Sequence, residues 1–278
     1  MIELDGVTVR YAGADESALR DVDLRIATGE TVALVGASGS GKTTLLRLLD
    51  ALLLPSEGTV RVDGMDTSDP QNLWEVRRRV GLIFQNPDNQ IVSTTVEREL
   101  AFGMENLGVP PVEIARRVEE AVARFRLGDL RDREPHRLSG GEKQRVAIAA
   151  VLSMEPSCVA LDEPTSLLDA SGRSEVWQTL AGLSAERDRT VVHVTQFPDE
   201  ILLAGRAVVL DRGAIVFDGT PESLFARGDD LARWGLEPPA AARLAGVLRD
   251  GGLRIPDGIA SLDALADAVV ATGDGGPA

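Results

Sequence analysis

Eight consecutive residues, Gly36-Ala37-Ser38-Gly39-Ser40-Gly41-Lys42-Thr43, have types and spacing that could do chemistry on phosphate. They match Gly-x-x-x-x-Gly-Lys-Ser/Thr, directly after the apolar run Thr31–Val35 and at the start of a helical leucine pattern (Leu45, Leu46, Leu49, Leu52, Leu53). Glycines let backbone N–H groups wrap closely around phosphate oxygens, and a helix N-terminus adds about half a positive charge at the same place. Lys42 is expected to reach the β and γ phosphates and the Thr43 hydroxyl, followed by Thr44, to bind Mg²⁺. A glycine turn that merely precedes a helix would not need the Lys-Thr-Thr run. The segment predicts a site for a nucleoside triphosphate such as ATP.

A second constellation separates hydrolysis from mere binding. Ser157-Cys158-Val159-Ala160-Leu161-Asp162-Glu163 is an apolar strand that ends in adjacent carboxylates. In a parallel-sheet protein with a phosphate loop, Asp162 is expected to hold Mg²⁺ through its water shell. Glu163 is then placed to orient or deprotonate the attacking water. A plain surface Asp-Glu pair is the alternative, and the phosphate loop weighs against it.

These residues need elements to hold them. Residues 1–30 alternate apolar and polar positions (Ile2, Leu4, Val7, Val9; then Val22, Leu24, Ile26), which predicts half-exposed antiparallel strands, and Thr59–Gly64 continues that sheet. The character changes at residue 87: Pro87, Pro110 and Pro111 punctuate a charged, amphipathic stretch, longest over Val112–Phe125, that predicts an inserted helical subdomain. A helix over about Glu142–Ser153 and buried strands at Val159–Leu161, Thr190–Val194 and Ala207–Leu210 restore an α/β pattern with a mixed, largely parallel core sheet. The predicted division is a nucleotide-binding domain over 1–228, its helical subdomain about 87–155, and a small, mainly helical extension over 229–278.

Composition removes other classes. The 29 basic and 44 acidic residues give a net charge of −15, which disfavours a general nucleic-acid surface. One cysteine, Cys158, excludes an internal disulfide and a cysteine-based zinc site. No run approaches the ~20 apolar residues a membrane-spanning helix needs, so no direct membrane insertion is expected.

Leu138-Ser139-Gly140-Gly141-Glu142-Lys143-Gln144-Arg145 resembles the signature of the ATP-binding cassette (ABC) ATPases, a branch of the P-loop NTPases, with Glu142 where the family usually has Gln. Ser139 and Glu142 also form a capping-box pattern, so a plain helix cap remains the alternative. The resemblance implies that Ser139, Gly140 and Gly141 bind the γ-phosphate of ATP held by a second ABC ATPase subunit, in a homo- or heterodimer. It further implies that Tyr11 stacks on adenine, although an ordinary strand aromatic is equally open. Gln85 is implied to contact Mg²⁺ and the lytic water, and Ser166-Leu167-Leu168-Asp169 to cross the dimer interface. Gln196 stands where the family usually has a histidine near the γ-phosphate; His193, earlier on the same strand, is expected to face the same side but deeper. Lys42, Gln85, Glu163 and Gln196 form the implied catalytic set.

The run Gln85-Asn86-Pro87-Asp88-Asn89-Gln90, with Thr95-Val96-Glu97 and Ala101–Asn106, is similar to the energy-coupling factor ATPases. That resemblance implies a transmembrane coupling protein and a substrate-capture membrane protein as partners, for vitamins or transition-metal ions. The chain would then sit at the cytoplasmic face of the cell membrane through them. A soluble ABC ATPase acting on DNA or ribosomes, or a weakly hydrolysing regulatory subunit, stand as the alternatives.

Overall fold

The computed structural model describes residues 1–166, 168, 169, 172–174, 176, 177, 189–256 and 258–273. An antiparallel sheet in the order β2-β1-β4-β5 is built from β1 (Ile2–Val9), β2 (Leu19–Ile26), β4 (Glu57–Val62) and β5 (Met65–Asp66). Strand β1 pairs with both β2 and β4, and Ile2, Leu4, Val7 and Val9 are buried; the odd step from Leu4 to Val7 is absorbed by a register shift at Gly6, φ 57°.

The second sheet has the order β10-β9-β3-β8-β7-β6. It comprises β3 (Thr31–Val35), β6 (Val80–Ile83), β7 (Cys158–Asp162), β8 (Thr190–Val194), β9 (Arg206–Asp211) and β10 (Ala214–Gly219). All neighbours pair in parallel except β9 and β10. The central strands β3, β7 and β8 are covered on both faces, which is why they read as near-continuous apolar runs, whereas the edge strand β10 is half open to solvent. Val32 and Leu34 of β3 join the core beneath the antiparallel sheet, whereas Ala33 and Val35 join the opposite core around Phe217, Phe225 and Trp234.

Helix α1 (Lys42–Leu49) follows β3, and Leu45, Leu46, Leu48 and Leu49 are fully buried. Each such side chain contributes about 1.5–3 kcal/mol by leaving water. The predicted helical pattern runs too far: Ala51 adopts φ 55°, Leu53 N donates back to Arg47 O, and Leu52 is exposed. A left-handed residue with a backward hydrogen bond ends the helix, so Leu52 and Leu53 belong to the turn.

Helices α2 (Leu73–Arg79), α3 (Val96–Asn106), α4 (Pro111–Arg124) and α5 (Gly140–Ser153) complete the middle of the chain. Leu100, Met104, Val118, Val146 and Ile148 of α3–α5 pack with Ile83, Val159 and Leu161 of β6 and β7 in one core. Towards the C-terminus, Leu231, Trp234 and Leu236 pack on the main sheet. Beyond them, Ala240–Asp250 and Leu262–Gly273 are helical and share a small core of Ala241, Ala245, Ile255, Ile259 and Leu265. Among the described residues no helix is long and apolar enough to cross a membrane.

Candidate active site

Strand register brings the chemistry to one edge. Leu34 pairs with Val194 and with Val208, and Asp162 pairs with Val194, so β3, β7 and β8 end side by side. Ile83 pairs with Leu161, which sets Gln85 next to the end of β7. Their loops line a cleft of about 510 Å³ formed by Tyr11, Ala18, Gly36, Ser38, Gly39, Gly41, Lys42, Thr43, Thr44, Gln85, Glu163 and Gln196. Ligands of open α/β sheets bind at this carboxyl edge of the strands.

The phosphate loop can exist only with glycine at two of its corners. Gly36 has φ 136°, and a Cβ there would lie 2.1 Å from Leu210 O. Gly41 has φ 111°, and its Cβ would lie 2.6 Å from Ala18 O. Lys42, 7% exposed, donates through Nζ to Gly36 O at 2.7 Å and Ala37 O at 2.8 Å, folding the ammonium back over its own loop. Burial lowers its pKa, and the charges of Glu163 and Asp162 pull it back. Ala37 and Ser40 do not line the cleft; Ser40 turns its buried Oγ inward, without a hydrogen-bond partner. Tyr11 reaches the cleft with its ring half open to water, and its hydroxyl shares a 3.1 Å hydrogen bond with Thr44 Oγ1.

Thr43 Oγ1 donates to Asp162 Oδ1 at 3.1 Å. Burial raises the Asp162 pKa against the Thr43 hydrogen bond and the charges of Arg47 and Lys42. Glu163 has φ 43°, a left-handed conformation that costs a non-glycine residue about 1–3 kcal/mol. Its turn is held by Glu163 N donating to Val194 O at 3.1 Å and Ser166 Oγ donating to Glu163 O at 3.0 Å. Burial raises the Glu163 pKa; Lys42 opposes this, and Asp162 and Glu200 reinforce it. A carboxylate pushed towards neutrality in this way is a better base once ionised. Gln85 Nε2 donates to Glu163 Oε2 at 3.0 Å and to Ser166 Oγ at 3.2 Å, linking the loop that enters the helical segment to that carboxylate.

Gln196 lines the cleft, but His193 does not. Three positions separate them, an odd step along an extended chain, so the expectation of a shared face is corrected: the imidazole is fully buried and packs edge-on against Trp177 at 5.1 Å. Burial pushes its pKa down to about 4, which keeps the ring neutral.

The signature segment lies elsewhere in the chain. Ser139, Gly140 and Gly141 do not line the cleft. Ser139 caps α5 in a full capping box: its Oγ accepts from Glu142 N at 3.3 Å, and Glu142 Oε2 accepts from Ser139 N at 2.7 Å. Hydrogen bonds from Ser139 hold the Glu142 carboxyl below its ordinary pKa. Lys143 pairs with Asp88 at 2.6 Å, and Gln90 bridges Phe84 N and Ala147 O, so the stretch after Gln85 is docked on α5. In the Ser166–Asp169 loop, Leu167 lies outside the described residues; Leu168 is buried near Gly141 and Asp169 Oδ1 accepts from Gly172 N at 2.8 Å. Sequence reasoning missed Ala18, which lines the cleft, and the buried Thr165, Thr195 and Glu200, which no local motif announces.

The ABC transporter family model matches residues 19–166. The energy-coupling factor transporter ATP-binding protein EcfA1 of Symbiobacterium thermophilum is 47% identical over 96% of this chain and 96% of its own length. EcfA1 of Clostridioides difficile is 43% identical over 95% and 96%. Among solved structures, cbiO1 from Clostridium perfringens, part of the ABC transporter complex cbiONQ, superposes with a TM-score of 0.75 and 32% identity, covering 89% of this chain and 98% of that one. A dimeric ATP-binding cassette in a post-hydrolysis state bound to ADP and Pi superposes with a TM-score of 0.72 and 30% identity, over 80% and 99%. The chain belongs to the ABC transporter family and falls among its energy-coupling factor ATP-binding proteins.

Proposed function

We propose that this chain is the ATP-hydrolysing subunit that energises an energy-coupling factor type ABC importer for vitamins or transition-metal ions. The observation that carries the reading is the 3.0 Å hydrogen bond from Gln85 to Glu163, because it joins a hydrolytic base to the loop that leads into the helical segment. Backbone N–H groups from Gly39 to Thr43 cradle the phosphates, and Lys42 exchanges its carbonyl partners for phosphate oxygens. Tyr11 supports the adenine. Glu163 accepts a proton from water while Gln85 and Gln196 orient that water and the γ-phosphate. Gln196 can donate a hydrogen bond but carries no proton or charge to the reaction.

The oxygen donors Thr43 Oγ1 and Asp162 Oδ1, 3.1 Å apart, suit a hard cation that also takes phosphate oxygens and water. Thr43 and Asp162, with Gln85, would hold Mg²⁺, which supplies charge neutralisation at the β and γ oxygens. Ser139, Gly140 and Gly141 of a second ATPase subunit cover the γ-phosphate from the other side. Residues 1–228 form the ATPase; the helical subdomain, about 87–155, receives the transmembrane coupling protein, with a separate membrane protein capturing the solute. Residues 229–278 hold the two ATPases together. In this reading the chain works at the cytoplasmic face of the membrane through these partners.

Co-expression with the transmembrane coupling and substrate-capture proteins of an energy-coupling factor transporter, followed by ATPase assay and solute uptake in vesicles, tests the proposal. Turnover stimulated by the membrane partners is expected. ATP binding without turnover in the intact complex would contradict the hydrolytic role.

A further inference from the structure

Glu200 lies outside the cleft yet touches both loops that enter it beside Glu163. It sits in the short helix Pro198–Ile201 after β8 and is 4% exposed. Thr165 Oγ1 donates to its Oε1 at 2.5 Å, and Thr195 Oγ1 donates to its Oε2. Both threonines are buried, and Thr195 Oγ1 also accepts from Phe197 N at 3.1 Å. Thr165 belongs to the turn that starts at the left-handed Glu163, and Thr195 immediately precedes Gln196. A single carboxylate thus fastens the turn of the base to the strand end that carries the γ-phosphate residue.

The choice of an ionisable group here calls for a reason. Among the described residues no Lys or Arg pairs with Glu200, so its partners are hydroxyls alone. Burying a carboxylate without a counter-ion costs several kcal/mol unless its oxygens are well satisfied. An ionised carboxylate is an acceptor on both oxygens, and that is what two donating hydroxyls require. A glutamine would keep the shape but turn one acceptor into a donor, so only one of the two hydroxyls could still donate to it.

We propose that Glu200 is a positioning residue for hydrolysis: it locks the Glu163–Ser166 turn and the Thr195–Phe197 turn into one unit, fixing the base relative to Gln196 when the cleft closes. The inference rests on Glu163 being the base. Displacement of a reacting group by about 1 Å costs up to about a hundredfold in rate, so the effect belongs in kcat rather than in ATP binding.

The test compares kcat, KM and melting temperature for Glu200→Gln, Glu200→Ala, Thr165→Val and Thr195→Val, with Glu163→Gln alongside. We expect kcat to fall about tenfold for Glu200→Gln and up to about a hundredfold for Glu200→Ala, with KM for ATP within about twofold. Thr165→Val combined with Glu200→Ala should add little to Glu200→Ala alone, because one tie is being cut twice. Should Glu200→Ala fail to fold, the threonine variants carry the same test. If Glu163→Gln abolishes turnover while Thr165→Val and every folded Glu200 variant keep wild-type kcat, the positioning role is overturned and the base stands. A parallel loss of kcat and ATP affinity that tracks melting temperature would also overturn it, as a merely structural role. Wild-type turnover in Glu163→Gln would instead remove the reading beneath it.

Discussion

Helices α1 and α5 both open on glycines suited to phosphate, but their first turns are finished in different ways. At α1 no side chain caps the helix; Gly41 bends the chain at φ 111°, and Lys42, Thr43 and Thr44 of the first turn line the cleft. At α5 Ser139 and Glu142 cap each other, which satisfies the N–H groups of Ser139 and Glu142 but not those of Gly140 and Gly141. Gly140 and Gly141 keep their space: a Cβ on Gly140 would meet nothing within 4 Å, and one on Gly141 would meet only Leu168 Cδ2 at 3.8 Å. The α1 turn is a socket that its own chain lines, whereas the α5 turn is fixed by its capping box and lies outside that socket. On the proposed reading, one chain carries two dissimilar halves of a nucleotide site, each completed by another subunit.

That contrast breaks most sharply at Gly141. A Cβ at Gly141 has room and an acidic residue suits a helix N-terminus, so for Gly141→Asp melting temperature should stay within about 2 °C while a carboxylate occupies the proposed approach of the γ-phosphate. Turnover should fall to background with ATP binding to the single chain retained, as read by nucleotide titration beside an ATPase assay. Lys42→Ala strikes the other half and should do the opposite. Loss of a charge-assisted hydrogen bond worth about 1.5–3 kcal/mol predicts ATP affinity weaker by about 10- to 100-fold. Gln196→His asks whether the missing ionisable group limits the socket; turnover should rise several-fold, measured as kcat at saturating ATP.

The smallest effect belongs to Glu142. Glu142→Gln keeps the cap but removes a negative charge from the α5 N-terminus, where a partner's γ-phosphate would sit. At about 0.3–1 kcal/mol for a charge near a helix end, ATP-driven dimerisation should tighten about two- to fivefold, a shift that sedimentation at varied concentration resolves.

How much of this was legible in the sequence depended on whether neighbours in space were neighbours in the chain. Gly36–Thr43 and Asp162–Glu163 were readable because each is contiguous and each residue type has a local reason. Leu52 and Leu53 were misassigned because helical spacing continues past Leu49, and only the left-handed Ala51 reveals the stop. His193 and Gln196 lie three positions apart, which puts the imidazole in the core beside Trp177 and not in the cleft with Gln196. The Thr165–Glu200–Thr195 tie was invisible, since 35 residues separate Thr165 from Glu200 and a lone Glu after a strand reads as surface. The capping box is visible as Ser139-x-x-Glu142, but that both of its hydrogen bonds form within one chain needs the geometry.

The most direct test of a site divided between two subunits is the molar mass of Glu163→Gln protein with and without ATP. Slowed hydrolysis should trap the closed form, so mass should double on ATP addition, with this chain or with its natural ATPase partner. The same experiment on Glu163→Gln combined with Gly141→Asp should show no doubling. Doubling that persists in the double variant would contradict a γ-phosphate contact from the α5 N-terminus, and with it the account of two unlike halves.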